Sequence, residues 1–84
     1  MELLEQVKHI KTRADFVAFI HSLLRDFRER PEQWENVSLE AYLEAIAAWV
    51  QDMDGYYLKG GEKVPKHPTW KNLGEILLAA RIYE

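Results

Sequence analysis

Residues 39–57 read LEAYLEAIAAWVQDMDGYY, and this stretch decides the fold class. Ser38 precedes it as a preferred helix N-cap, and Glu40 lies in the first turn, where negative charge is favoured. Large apolar side chains recur every three or four residues, which is typical of one helix face: Leu39, Leu43, Ile46, Trp49, Val50 and Met53. The stretch therefore predicts a long amphipathic helix over 38–57 whose apolar residues hold the bundle together.

A second helix is predicted over 13–29. Thr12 and Asp15 have the spacing of an N-cap and its third helical residue, and Pro31 ends the helix because proline disfavours helix before it. Apolar residues follow at helical spacing: Phe16, Val17, Ile20, Leu23, Leu24 and Phe27. A shorter first helix over 2–10 is indicated by Leu3, Leu4, Val7 and Ile10.

The C-terminal third begins with a Gly/Pro-rich connector, 58–68, that predicts turns rather than regular structure. A fourth helix is predicted over 69–83, with its apolar face formed by Trp70, Leu73, Ile76, Leu77, Ala80 and Tyr83. Since no repeat or second apolar block is present, we expect one all-α domain, 1–84, a small bundle of three to four helices.

The amino-acid composition indicates in which cellular compartment the chain resides. Its 84 residues are 48% hydrophobic, enough for a modest core, and the absence of cysteine excludes disulfides and thiolate metal sites. No apolar run approaches the roughly 20 residues that span a bilayer, and the N-terminus has no signal-peptide pattern. We expect a cytoplasmic protein with no membrane partner.

Charge is unevenly distributed along the chain. The net charge is −3, so binding nucleic acid through phosphate neutralisation is disfavoured. Residues 31–58 carry six acids and no lysine or arginine, whereas the flanking thirds are slightly basic. This acidic segment predicts one negatively charged surface.

The sequence contains no complete metal-binding or catalytic motif. Asp52-Met-Asp54-Gly55 has the alternating acids of a calcium loop, but the register then puts Val50 first and Gly61 twelfth, and neither side chain is a ligand. The three histidines lack the helical spacing of paired metal ligands, and the two serines form no dyad with a base. We expect no cofactor, no metal site and no enzymatic activity.

Tyrosine and tryptophan are abundant for such a short chain. Trp49 and Trp70 fit helical apolar faces and are assigned to the core. A tryptophan in a loop, such as Trp34, usually pins that loop onto the core. Tyr56 and Tyr57 are candidates for exposure, because adjacent helix residues diverge by about 100° and cannot both face inward.

Several of these residues form a family pattern. The chain resembles a family of small uncharacterised bacterial proteins from about Ile10 to its end, on the basis of Trp34-Glu-Asn36, Leu39, Tyr42-Leu-Glu-Ala45, Trp49, Tyr56-Tyr57, Pro68-Thr-Trp70 and Ala80-Arg-Ile-Tyr83-Glu84. The resemblance implies a compact bacterial domain and transfers no activity or catalytic residue.

A second resemblance concerns the surface alone. Glu35-Asn36, Tyr42, Glu44 and Trp49 are similar to the aromatic and acidic residues that barstar-like ribonuclease inhibitors present to a basic enzyme. The spacing differs, and no strands flank the helices, so the similarity does not extend to the fold.

These observations favour a non-enzymatic interaction protein, immunity- or inhibitor-like, that binds a basic protein partner through residues 31–58. The candidate binding residues are Glu35, Glu40, Glu44, Asp52, Asp54, Tyr56 and Tyr57. The alternative is a small-molecule binding or accessory module with an aromatic-lined pocket between the third helix and the Trp34 and Trp70 loops. A homo-oligomer is a further candidate assembly, because so small a domain can leave an apolar face uncovered.

Overall fold

A computed structural model describes residues 2–61 and 67–83, and of Tyr56 it describes only the backbone. Within these ranges the chain forms four α-helices and no strand: α1 (Leu3–Lys8), α2 (Arg13–Glu29), α3 (Leu39–Lys59) and α4 (Trp70–Ala80). A short 3-10 turn, Pro31–Gln33, joins α2 to the loop before α3. The all-α prediction is confirmed. The predicted connector 58–68 begins two residues later than expected, and its residues 62–66 lie outside the described ranges.

Local capping signals set the starts of the helices. The Thr12 hydroxyl accepts a hydrogen bond from the Asp15 amide at 3.1 Å, and the Asp15 carboxylate accepts from the amides of Thr12 and Lys11. These backbone hydrogen bonds lower the pKa of Asp15. The Ser38 hydroxyl caps α3 by accepting from the Ala41 amide at 3.0 Å.

Helix α4 is the central element. It packs against α1 and α2 on one side and against α3 on the other, while α2 and α3 do not approach each other directly. The core between α1, α2 and α4 is formed by Val7, Ile10, Phe19, Leu23 and Leu78.

Gly74 explains how α1 comes so close to α4. A Cβ atom at this position would lie 2.7 Å from Ile10 Cδ1 and 3.2 Å from Val7 Cγ2. Any larger residue would therefore push α1 outwards, since protein interiors hold little spare volume.

Helix α3 buries a different face from the one that the sequence predicts. Leu39, Leu43 and Val50 were expected in the core, but their side chains are 73%, 54% and 43% exposed. The face turned to α4 instead carries the half-buried Tyr42 and the buried Ala45. The reason is that α3 bears apolar residues on two adjacent sides, and only one of them meets α4.

The two tryptophans assigned to the core also differ from each other. Trp49 is half-buried, and its ring meets Tyr83 edge-on at a centroid distance of 5.2 Å. Trp70 stands at the start of α4, contacts Phe16 at 5.5 Å and is 39% exposed, so its assignment to the core is wrong.

No helix of residues 2–61 or 67–83 is long and apolar enough to cross a membrane.

Candidate interaction surface

An open groove runs between α2 and α3, with α4 beneath it. Its volume is about 300 Å³, and its lining is mainly apolar, including Ile20, Leu24, Phe27, Val37, Leu39 and Leu77. The groove exists because α2 and α3 both pack on α4 without meeting each other. It exposes the side of α2 that was predicted to face inwards.

Tyr42 crosses the floor of this groove. Its hydroxyl donates a hydrogen bond of 2.7 Å to the carbonyl oxygen of Leu77, which lies in the last turn of α4, where carbonyls lack intrahelical donors. Burial raises the pKa of Tyr42 from 10.0 to about 12, and the positive charge of Arg81 opposes this shift only in part. The tyrosine thus joins α3 to α4.

Trp34 closes the upper end of the groove. Its indole nitrogen donates to the Asp26 carboxylate at 2.8 Å, and its ring lies between those of Phe27 and Tyr42. The Arg81 guanidinium approaches the same carboxylate at 3.4 Å. The prediction that this tryptophan pins its loop is confirmed.

Asn36 fixes the loop that leads into α3. Its side-chain nitrogen donates to the carbonyl oxygens of Ala80 and Tyr83 at 2.9 and 2.8 Å. The backbone amide of Glu35 also donates to the Arg81 carbonyl at 3.0 Å. The start of the acidic segment is therefore held against the C-terminal end of α4.

Three exposed apolar residues of α3, Leu39, Leu43 and Val50, form what we call the α3 stripe. They are separated by four and seven residues, so they lie on one side of the helix, with the half-buried Ile46 between them. Leu39 belongs to the wall of the groove. The stripe therefore extends the apolar surface of the groove along α3.

Acidic side chains accompany the stripe. Glu40, Glu44 and Asp54 are exposed, and none of them forms an ion pair with another residue of 2–61 or 67–83. Glu35 is also exposed, at the start of the segment. Because residues 31–58 hold no lysine or arginine, no basic side chain of the segment neutralises Glu40, Glu44 or Asp54.

The other three predicted site residues lie elsewhere. Asp52 is exposed on α3 and accepts a hydrogen bond from the Tyr83 hydroxyl, which raises the pKa of Tyr83. Tyr57 is only 4% exposed, and its hydroxyl bonds the Glu75 carboxylate and the Asn72 amide. Of the two tyrosines named as candidates for exposure, Tyr57 is therefore buried, because α3 turns this position towards the first half of α4. The side chain of Tyr56 lies outside the described part of the structure.

The α3 stripe is the feature that sequence reasoning assigned to the wrong environment. A signal for it exists, because Tyr42, Ala45 and Trp49 recur at the same spacing as the stripe on a neighbouring side of the helix. One helix can bury both sides only if two partners flank it, and a chain this short supplies one.

Residues 2–61 and 67–83 contain no cluster of three or more histidines and carboxylates that could hold a metal ion. The groups with shifted pKa values have different structural roles, since Asp15 caps α2, Tyr42 bonds Leu77 under the groove and Tyr83 bonds Asp52.

A family model described as a family of unknown function, DUF7660, matches residues 12–84, which is all of the chain except α1 and its flanking residues. No curated protein and no solved structure matches the chain.

Proposed function

We propose that this chain, which belongs to the family of unknown function DUF7660, is a non-enzymatic interaction protein that binds a protein partner with a basic surface through residues 31–58. The observation that carries the proposal is the exposed α3 stripe with Glu40, Glu44 and Asp54 beside it. Leaving leucine and valine side chains in water gains nothing for folding, so their exposure favours a binding role.

The arrangement of the two kinds of side chain supports a protein partner. Interfaces commonly combine an apolar centre with a polar rim, and complementary rim charge mainly accelerates association and fixes orientation. Here the stripe supplies the centre and the unpaired acids supply the rim. An immunity- or inhibitor-type protein acts in this way, by covering a basic surface of its target.

The absence of a chemical centre in the described residues supports a non-enzymatic role. Enzyme active sites concentrate groups with shifted pKa values in one cleft. Asp15, Tyr42 and Tyr83, which have such shifts, do not share a cleft, and each shift has a structural cause.

The alternative function, binding of a small molecule in an aromatic-lined pocket, has less support. Ligand pockets place a few free polar groups among apolar ones. In the groove, the Asn36 amide nitrogen is bonded to two carbonyls, the Ser38 hydroxyl caps α3 and the Tyr42 hydroxyl bonds Leu77. These polar groups already serve the fold.

The proposal is tested by affinity capture from an extract of the source cells. The wild-type chain is compared with the E40K/E44K variant and with E5K/E29K, a matched control that changes the same charge at exposed positions of α1 and α2. We expect wild type and control to retain a protein with a basic surface at low salt and release it at high salt, and E40K/E44K not to retain it. Equal retention by E40K/E44K, or no salt-sensitive partner at all, would overturn the proposal.

A further inference from the structure

We propose that the partner that fits this surface is a second copy of the chain, with α2 of each protomer lying on α3 of the other. This inference rests on the proposed function, since it uses the same exposed side of α3. Three observations carry it: matched apolar spacing on α2 and α3, their antiparallel directions, and opposite charge on their outer edges.

Helices α2 and α3 repeat the same spacing of apolar residues in the groove lining and beyond it. On α2, apolar residues recur at intervals of three, four and three: Val17, Ile20, Leu24 and Phe27. On α3, they recur at intervals of four, three and four: Leu39, Leu43, Ile46 and Val50. Alternating intervals of three and four make up the heptad pattern with which paired helices interlock.

Helices α2 and α3 run in opposite directions along α4. At one end, Phe16 of α2 contacts Trp70 at the start of α4, and Tyr57 near the end of α3 bonds Asn72. At the other end, Phe27 meets Trp34, whose ring stacks on Tyr42 near the start of α3. The last part of α2 therefore lies beside the first part of α3.

Charge distinguishes the two helices. Arg13 and Arg28 are exposed, and each lies one helical turn from an exposed apolar residue of α2, Arg13 from Val17 and Arg28 from Leu24. Neither arginine forms an ion pair within residues 2–61 or 67–83. The α3 pattern has an acidic residue at each end instead, Glu40 and Asp54.

These charges select one of two possible two-fold arrangements. A two-fold axis across the groove would place α2 on α2 and α3 on α3, so that like charges meet. An axis along the groove places α2 of one protomer on α3 of the other, antiparallel, so that opposite charges meet. The structure therefore favours the second arrangement, which is closed and buries both groove walls at once.

The antiparallel arrangement also gives a register. When Leu24 lies opposite Leu43 of the second copy, the same alignment places Val17 opposite Val50. The alignment then pairs each arginine with an acid at the ends of the contact: Arg13 with Asp54, and Arg28 with the neighbourhood of Glu40. Both pairs occur twice because of the symmetry.

The experiment measures the dimer dissociation constant by sedimentation equilibrium over micromolar to millimolar concentrations. The R13E/R28E chain and the E40K/D54K chain each place like charges at both ends of the contact, and we expect the constant to rise about tenfold or more in each. An equal mixture of the two chains is expected to form a heterodimer, because every contact is again between opposite charges. A chain with all four changes is expected to recover its homodimer.

Controls keep the folding and binding effects apart. Arg25→Glu and E5K/E29K alter exposed charges away from the groove and are expected to leave the constant unchanged. Circular dichroism confirms that each variant is helical before it is used.

Two outcomes overturn the inference. If the wild-type chain is monomeric at millimolar concentration, the proposal that the partner is a second copy is wrong. The proposed function is still supported in that case if capture of a basic protein depends on Glu40 and Glu44. A dimer whose constant is unaffected by E40K/D54K, or whose four-change chain fails to recover it, places the contact elsewhere. A failed capture experiment with an intact, charge-dependent dimer would instead show that the chain binds its own copy and no other basic partner.

Discussion

Helix α3 has two apolar sides, of which one faces α4 and the other is largely exposed. The side facing α4 carries Tyr42 and Ala45, and the Tyr42 hydroxyl reaches the Leu77 carbonyl of α4. Tyr57 lies on the other side, seven residues after Val50, but it is buried near the end of α3, where its hydroxyl bonds Glu75 of α4. The other side carries Leu43 and Val50, which are more apolar and yet exposed. The comparison shows that hydrophobicity alone does not decide which side is buried. The α3 residues that are buried here include those that both fill space and satisfy the polar groups of α4.

The strongest test of this comparison is Tyr57→Ala. Its side chain is buried, and truncation leaves a cavity and removes a partner of Asn72 and Glu75, so we expect the free energy of unfolding to fall by about 3 kcal/mol or more. Urea denaturation at low protein concentration measures this change. A loss below about 1 kcal/mol would mean that the contact of Tyr57 with α4 contributes little to the fold.

A smaller effect is expected from Tyr42→Phe. The variant loses the hydrogen bond to the Leu77 carbonyl, which is worth about 1 kcal/mol. Since the folded-state pKa of Tyr42 is raised to about 12, its neutral form stabilises the protein fully below pH 10, and that contribution is lost as pH rises from 10 towards 12. Stability measured across this pH range should fall less steeply in the variant. Identical slopes would show that the buried hydroxyl is not the titrating group.

Gly55→Ala tests the outer surface of α3 and should increase stability. No atom lies within 4 Å of a Cβ built at this exposed helical position, so alanine meets no obstacle. Glycine within a helix costs about 0.5–1 kcal/mol relative to alanine, and we expect a gain of this size in urea denaturation. The matched variant Gly74→Ala, on the packed α4, should not share the gain, because its Cβ approaches Ile10 at 2.7 Å. An equal gain at both positions would contradict the difference in packing.

The smallest effect on folding is expected from Leu43→Ser. Because this side chain is more than half exposed, the free energy of unfolding of the monomer should change by no more than about 0.5 kcal/mol. Association should nevertheless weaken, since serine removes apolar area from the α3 stripe. Urea denaturation in dilute solution and sedimentation of concentrated samples separate the two effects. A large loss of monomer stability would show instead that Leu43 is part of the core, as the sequence predicts.

Most of the helical framework could be predicted because its signals are local. The Thr12 and Asp15 capping pair, the Ser38 cap and the break at Pro31 act within a few residues, and α2 has the bounds that they predict. The acidic character of residues 31–58 is likewise a property of composition, and the exposure of Glu40, Glu44 and Asp54 agrees with it.

The candidate interaction surface could be predicted only in part. Glu35, Glu40, Glu44 and Asp54 were predicted on the surface and lie there, whereas Tyr57 is buried. The apolar centre of the candidate surface was predicted to be core. Spacing along one helix identifies an apolar side, but it carries no information about which other helix will cover that side.

The sequence by itself determined where the helices begin and where α2 ends, and it determined that one third of the chain is acidic, because capping, proline and charge act through neighbouring residues. Only the tertiary structure decided which side of α3 meets α4 and which is left exposed. The physical reason is that burial depends on residues distant in sequence. Gly74 lets α1 and α2 approach α4 on one side, Tyr42 and Tyr57 fasten α3 on the other, and the groove between α2 and α3 remains open.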